Sequence, residues 1–233
     1  MLPPGYKSVK PFELQPRKNA ERAGAIGVGA VLLAFLLKFK TVLLFLLQFK
    51  WIAIGAKFLL SFGTLFLSIW AWALFFGWTF AAGFVLLIFV HEMGHFAVAR
   101  AYRLPVSLPV FIPFFGAAVA IKNLPRESKA SAVISLAGPL VGGLGAFVCF
   151  AIGTQTGGAF WYALASTMFF INLFNLIPIV PFDGGWVAHA LWSRSSQMRA
   201  LDKWSIGAVY IGLAIGLFAL WQIAGHSVVL APR

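Results

Sequence analysis

Charge is what this sequence has least of. Asp, Glu, Lys and Arg make up only 10% of its 233 residues, and the acids number six. A typical globular chain is about 25% charged, whereas 61% of these residues are hydrophobic and 16% aromatic. Too few polar groups remain to cover a water-facing exterior, so most of the surface must meet lipid. That excludes an ordinary soluble domain. A single cysteine, Cys149, lies within an apolar run; it excludes an intramolecular disulfide and a Cys-based zinc cluster. Also missing is the alternating pattern of a membrane β-barrel. There is no long repeat, no low-complexity tract, and no short basic start followed by the apolar core of a signal peptide. The opening "MLPPGYKSVKPFELQPRKNAER" reads instead as a basic, Pro-containing tail over 1–22.

What is present is continuous apolar sequence, and the class it implies is an all-α polytopic membrane protein with about five to seven transmembrane helices. A crossing needs about 20 apolar residues. The uncharged runs, divided at turn residues, give crossings at 58–76, 79–99, 130–153, 158–177 and 205–225, with breaks near Gly77 and at "TQTGG" over 154–158. Residues 23–57 are interrupted by Lys38, Lys40, Lys50 and Lys57. They suit a short two-crossing hairpin, a single crossing or a helix lying in the interface.

The 18 Lys and Arg give a net charge of +12. In a soluble protein this would point to nucleic acid, but no basic–aromatic recognition module is visible and nucleic acid is not an expected partner. The bases fall between apolar runs, where they anchor against anionic headgroups. Segments 100–129 and 186–204 are strongly basic, while the turns near Gly77 and 154–158 are uncharged. The positive-inside rule therefore places both basic segments in the cytoplasm. The basic tail belongs there too, so 23–57 should cross twice or not at all.

Inside the second crossing stands "HEMGH". His91 and His95 are four apart and share one helix face. This is the H-E-x-x-H arrangement, in which two imidazoles bind zinc and the glutamate beside them acts as general base. Ionisable groups in a membrane helix cost several kcal/mol unless paired, hydrated or metal-bound, so three within five residues argue for function over helix packing. Catalytic zinc keeps three protein ligands and one open position. Among the six acids only Asp183, in "NLIPIVPFDGG", ends an apolar span. The charge bias puts it at the same depth as His95, toward the cytoplasmic side. His189 and His226 read as non-ligands.

"HEMGH" in one span and "NLIPIVPFDGG" at the end of a later one resemble the site-2 protease family of intramembrane zinc metalloproteases, over about 79–190. The resemblance implies one Zn2+ held by His91, His95 and Asp183, with Glu92 activating the zinc-bound water. It also implies that Asn175 contacts substrate or the developing oxyanion; an interhelical hydrogen bond is the alternative for this side chain. Asn172, one turn earlier, reads as structural. In segment 105–121, Pro105, Pro109 and Pro113 argue against helix, and its apolar pieces around Gly116 read as a short hairpin. That hairpin is similar to the family's re-entrant β-loop, which presents substrate as an added strand; an amphipathic surface loop is the alternative. Two positions depart from the common pattern: Phe182 stands where Leu often precedes the Asp, and Gly142 where many relatives carry Asn. Gly138 and Gly142 have the small-xxx-small spacing that lets helix backbones approach closely.

The domain expectation is a tail over 1–22, a membrane-associated segment over 23–57, a protease domain over 58–225 and a C-terminal tail over 226–233. The expected activity is endopeptidase cleavage of single-span transmembrane proteins in or near the bilayer. The bacterial inner membrane, or one derived from it, suits the topology. No soluble domain is inserted, so substrate selection falls to the membrane part, the tail or an adaptor protein. A metal or proton transporter using the same polar cluster is the alternative, and a catalytically inactive membrane-binding relative is a third reading.

Overall fold

The computed structural model describes residues 38–40, 51–124, 128–193 and 198–231. The chain divides into two compact units, Met1–Ile54 and Gly55–Arg233. Of the first, the described residues 38–40 and 51–54 are helical. The tail 1–22 and most of 23–57 lie outside the described residues.

Helix α1 (Trp51–Phe76) ends at Gly77, whose φ of 78° a residue with a side chain rarely adopts. The chain restarts at once in α2 (Trp78–Ala101), so the expected break at Gly77 is found. A two-stranded antiparallel hairpin follows, β1 (Val110–Ile112) and β2 (Gly116–Ala118), in register Val110 to Ala118. The prolines explain why this stretch is not helix: none can donate a backbone hydrogen bond. Helices α3 (Lys129–Thr156), α4 (Ala159–Asn175), α5 (Asp183–Trp192) and α6 (Ala200–Leu230) complete the order. Ser128 caps α3, its hydroxyl accepting from the Ser131 amide. Gly157 closes α3 in a left-handed conformation, making the tight turn into α4.

Helices α1, α2, α3 and α6 are long and apolar enough to cross a membrane. Helix α4 has 17 residues, at the short end of a crossing. The protein is a polytopic helical membrane protein with a small hairpin. Helix α6 runs well beyond the expected 205–225, because Asp202 and Lys203 sit in its first turn and His226 and Ser227 near its end without interrupting its backbone hydrogen bonds. Helix α1 likewise continues through Lys57, an exposed residue able to extend its charged end to the interface.

Helix α3 is the centre of the bundle, packing on α2, α4 and α5, and α4 packs on α6. Met168, Phe169, Val85 and Val187 are fully buried there. Large apolar side chains such as Leu59, Phe75, Leu144 and Ile215 are exposed, as a lipid-facing surface requires. At one end Lys129 Nζ meets Asp202 at 2.7 Å and Arg199 Nε meets the same carboxylate at 3.0 Å. This joins the starts of α3 and α6, so the two basic segments of the sequence meet at one end of the bundle.

Candidate metal centre and active site

Three close approaches of backbone build the site. Gly94, within "HEMGH", lies so near α3 that an added Cβ would be 2.9 Å from the Ala137 carbonyl carbon. Gly138 faces the motif histidines: a Cβ there would collide with the His95 ring and stand 2.8 Å from His91 Nε2. After α4 the chain folds back, and Gly184 and Gly185 pass against the backbone of Leu176 and Ile179 with no space for a side chain. That turn delivers Asp183 to the first turn of α5, where the positive end of the helix dipole favours a carboxylate.

The result is a convergence of donors. His91 Nε2 lies 3.2 Å from one Asp183 oxygen, His95 Nε2 lies 3.3 Å from the other, and the two Nε2 atoms are 3.1 Å apart. Zinc bonds of about 2.0–2.1 Å at tetrahedral angles set ligand atoms about 3.3 Å apart. The three separations, which involve both Asp183 oxygens, are close to that spacing. Ring chemistry supports the fit. His95 Nδ1 is 2.8 Å from the Ile134 carbonyl, which only accepts, so this nitrogen carries the proton and Nε2 the lone pair. His91 Nδ1 donates to Asn172 Oδ1 at 2.7 Å, leaving its Nε2 in the same state. Two lone pairs facing each other repel unless a proton or a cation lies between them.

Glu92 belongs to the cluster differently. Its carboxylate lies within 4.8 Å of both histidines, and at 7% exposure it is as buried as they are. That reach suits a group acting across a water. Val119, just after β2, lines the same cavity as Glu92, which places the hairpin beside the site. A cavity of about 670 Å³ opens over this cluster, lined among others by Ile112, Ala118, Phe114, Trp72 and Asn175.

The structure thus brings together all five residues singled out in the sequence. His91 and His95 are within reach of Glu92 on one side and of Asp183 on the other, and half-buried Asn175 lines the same cavity. His189 and His226 are exposed and outside the metal-capable cluster found among the described residues. Asn172, read as structural, is fully buried and is the hydrogen-bond partner of a motif histidine. Its i+3 relation to Asn175 gave no hint of this, since Asn172 and Asn175 face different neighbours. Gly138 and Gly142 also differ from expectation, because what they admit is the polar side chains of the site rather than another helix backbone. Phe182 stacks edge-on against Phe174 at 4.8 Å, so the departure there is one of packing.

A helical membrane bundle that gathers two histidines with neighbouring carboxylates in one buried cluster has the donor set of a membrane metalloprotein. The pattern of Peptidase family M50 matches residues 79–158 and 155–219, more than half of the chain. The chain belongs to this family, the site-2 proteases, whose cofactor is zinc. It is similar to a zinc metalloprotease of Methanocaldococcus jannaschii, 31% identical over 119 residues, covering 48% of this chain and 34% of the relative. It is also similar to Rip3 of Mycobacterium tuberculosis, which is named for zinc metalloprotease activity, at 33% identity over 152 residues, 59% of this chain and 37% of the relative. A chloroplastic protein of Oryza sativa named EGY1 matches at 36% over 78 residues, 31% of this chain and 14% of the relative. The chain therefore spans about a third or less of the length of these relatives.

Proposed function

We propose that this chain is an intramembrane zinc endopeptidase that hydrolyses peptide bonds of single-span membrane proteins. His91, His95 and Asp183 hold the metal, and Glu92 is the general base. The observation that carries this is the convergence of two imidazole nitrogens and the two Asp183 oxygens at 3.1–3.3 Å, with Glu92 within 4.8 Å of both histidines. Zinc, when bound, polarises the scissile carbonyl and lowers the pKa of water at its open position.

The side chains do the rest. Asp183 bridges the pair, one oxygen towards each ring, and balances the cation's charge where lipid would not. Glu92 takes a proton from the attacking water and passes it to the leaving amine. Asn175 faces the cavity and donates to the substrate backbone or to the oxyanion. A helical substrate hides its peptide bonds, so it must be opened before hydrolysis. The two-stranded hairpin beside the cavity suits that task, because a substrate drawn out as a strand gains main-chain hydrogen bonds along its edge. Hydrolysis needs water, and irregular backbone at membrane depth is tolerated where it lines a hydrated cavity.

The basic segments 100–129 and 186–204 support a cavity that faces the cytoplasm, with the bacterial inner membrane or a derived membrane as the location. The test is Glu92→Gln in purified protein. Zinc should be retained at one per chain while cleavage of a single-span substrate falls below detection. Cleavage at the wild-type rate would remove Glu92 as base. Loss of zinc would instead make Glu92 a ligand, as a metal-transport site would have it.

A further inference from the structure

We propose that Asn172 is a positioning residue for the metal centre, and that Gly142 is the vacancy in α3 that admits it. The inference rests on the reading of His91 as a metal ligand and goes beyond it by assigning what holds that ligand. It starts from the carboxamide. Asn172 Nδ2 donates to the Met168 carbonyl at 2.9 Å, and a carbonyl can only accept. The amide orientation is thereby fixed, and its oxygen is the atom that faces His91 Nδ1 at 2.7 Å. An oxygen acceptor there forces the proton onto Nδ1 and the lone pair onto Nε2, the atom aimed at Asp183 and His95.

The space for this comes from α3. A Cβ on Gly142 would lie 2.5 Å from Asn172 Oδ1, 3.0 Å from Nδ2 and 3.1 Å from Cγ. Any side chain at 142 evicts the carboxamide. The same distances imply something stronger. Within an asparagine, standard bond lengths put Cβ about 2.4 Å from Oδ1. An asparagine at 142 can therefore place its oxygen where Asn172 now holds it, provided 172 is made small. The acceptor for His91 has one location in space that two helices can supply, and in this chain α4 supplies it from Asn172.

The experiment measures zinc affinity of the full-length protein in detergent by competition with a chelating dye, with the melting temperature of the metal-free form as the check on folding. Asn172→Leu and Asn172→Ala should weaken zinc binding about 10- to 100-fold. Combining Asn172→Ala with Gly142→Asn should restore affinity to within a few-fold, whereas Gly142→Asn alone should not fit. A merely structural asparagine would show no such recovery. Wild-type affinity in folded Asn172→Leu overturns the proposal, and so does a double variant no tighter than Asn172→Ala. If Asn172→Leu does not fold, the comparison of Asn172→Ala with the double variant decides alone. Asp183→Asn and His91→Ala run beside them: if these keep wild-type zinc affinity, the metal reading itself is wrong, whereas their failure with unaffected Asn172 variants overturns only the positioning role.

Discussion

Gly138→Ala puts the smallest change in the place where the structure is least tolerant. A methyl group at 138 would lie 2.8 Å from His91 Nε2 and closer still to His95 Nε2, whereas ordinary contact begins at 3.4 Å. Either the rings or α3 must therefore move by at least about 0.6 Å, three times the tolerance of about 0.2 Å on zinc–ligand distances. The rings cannot swing away freely, because Ile134 and Asn172 hold their Nδ1 atoms. Helix α3 cannot retreat without opening its contact with Gly94. A displacement near 1 Å costs about 100-fold in rate, or about 2.7 kcal/mol. We expect Gly138→Ala to cleave a single-span substrate at least 100-fold more slowly and to bind zinc at least tenfold more weakly. Gly207→Ala is the matched control: nothing lies within 4 Å of its Cβ position, so the better helix former should leave activity unchanged. Both are read by initial cleavage rates and by zinc competition in the same detergent. Wild-type zinc affinity with a rate within tenfold of wild type in Gly138→Ala would refute the steric reasoning.

Two other expectations separate the site from its surroundings. Phe114, at the hairpin tip, meets Trp72 edge-on at 5.3 Å and Phe75 at 5.7 Å, and each such pair contributes about 0.5–1.5 kcal/mol. Phe114→Ala should speed amide exchange in 110–118 and raise KM for a membrane substrate while zinc affinity holds; unchanged exchange would show that the hairpin does not depend on this contact. Tyr210 on α6 donates to the Leu176 carbonyl at the exit of α4. Tyr210→Phe should destabilise the protein by about 0.5–1 kcal/mol in chemical unfolding with zinc unaffected, and a loss of zinc would mean that α6 holds the turn bearing Asp183.

The candidate ligands were legible in the sequence because ligand chemistry is restrictive. Few side chains bind zinc, and in a chain with six acids only Asp183 ended an apolar span. The period of the helix then put His91 and His95 on one face without knowledge of any neighbour. The hairpin was legible for a related reason, since Pro105, Pro109 and Pro113 exclude helix and Gly116 takes a φ of 102° between the strand and its turn. Helix ends were less so. Lys57 and Asp202 looked like boundaries because charge is costly in lipid, yet α1 and α6 run through both, their charged ends lying at the bundle exterior. Asn172 was not legible at all. An asparagine on a membrane helix can bond a neighbouring carbonyl, a lipid-facing water or a ligand's ring, and which it does depends on where α3 lies, not on its own sequence.

The same contrast explains why glycine matters more here than charge. The Asp183 carboxylate meets His91 and His95 at 3.2 and 3.3 Å, but the elements that carry these groups come together at three places where a missing Cβ lets one lie against another. Gly94 sets how close α2 comes to α3, Gly138 and Gly142 set what may stand between α3 and the ligands, and Gly184 with Gly185 sets where the chain returns with Asp183. A coulombic clamp would be compliant, since attraction changes smoothly with distance. Steric contact is not, because packed interiors do not deform continuously. It follows that the substitutions most damaging to the centre should be those that add a single carbon at Gly94, Gly138, Gly142, Gly184 or Gly185, while changes to the Lys129–Asp202–Arg199 ion pairs leave it intact.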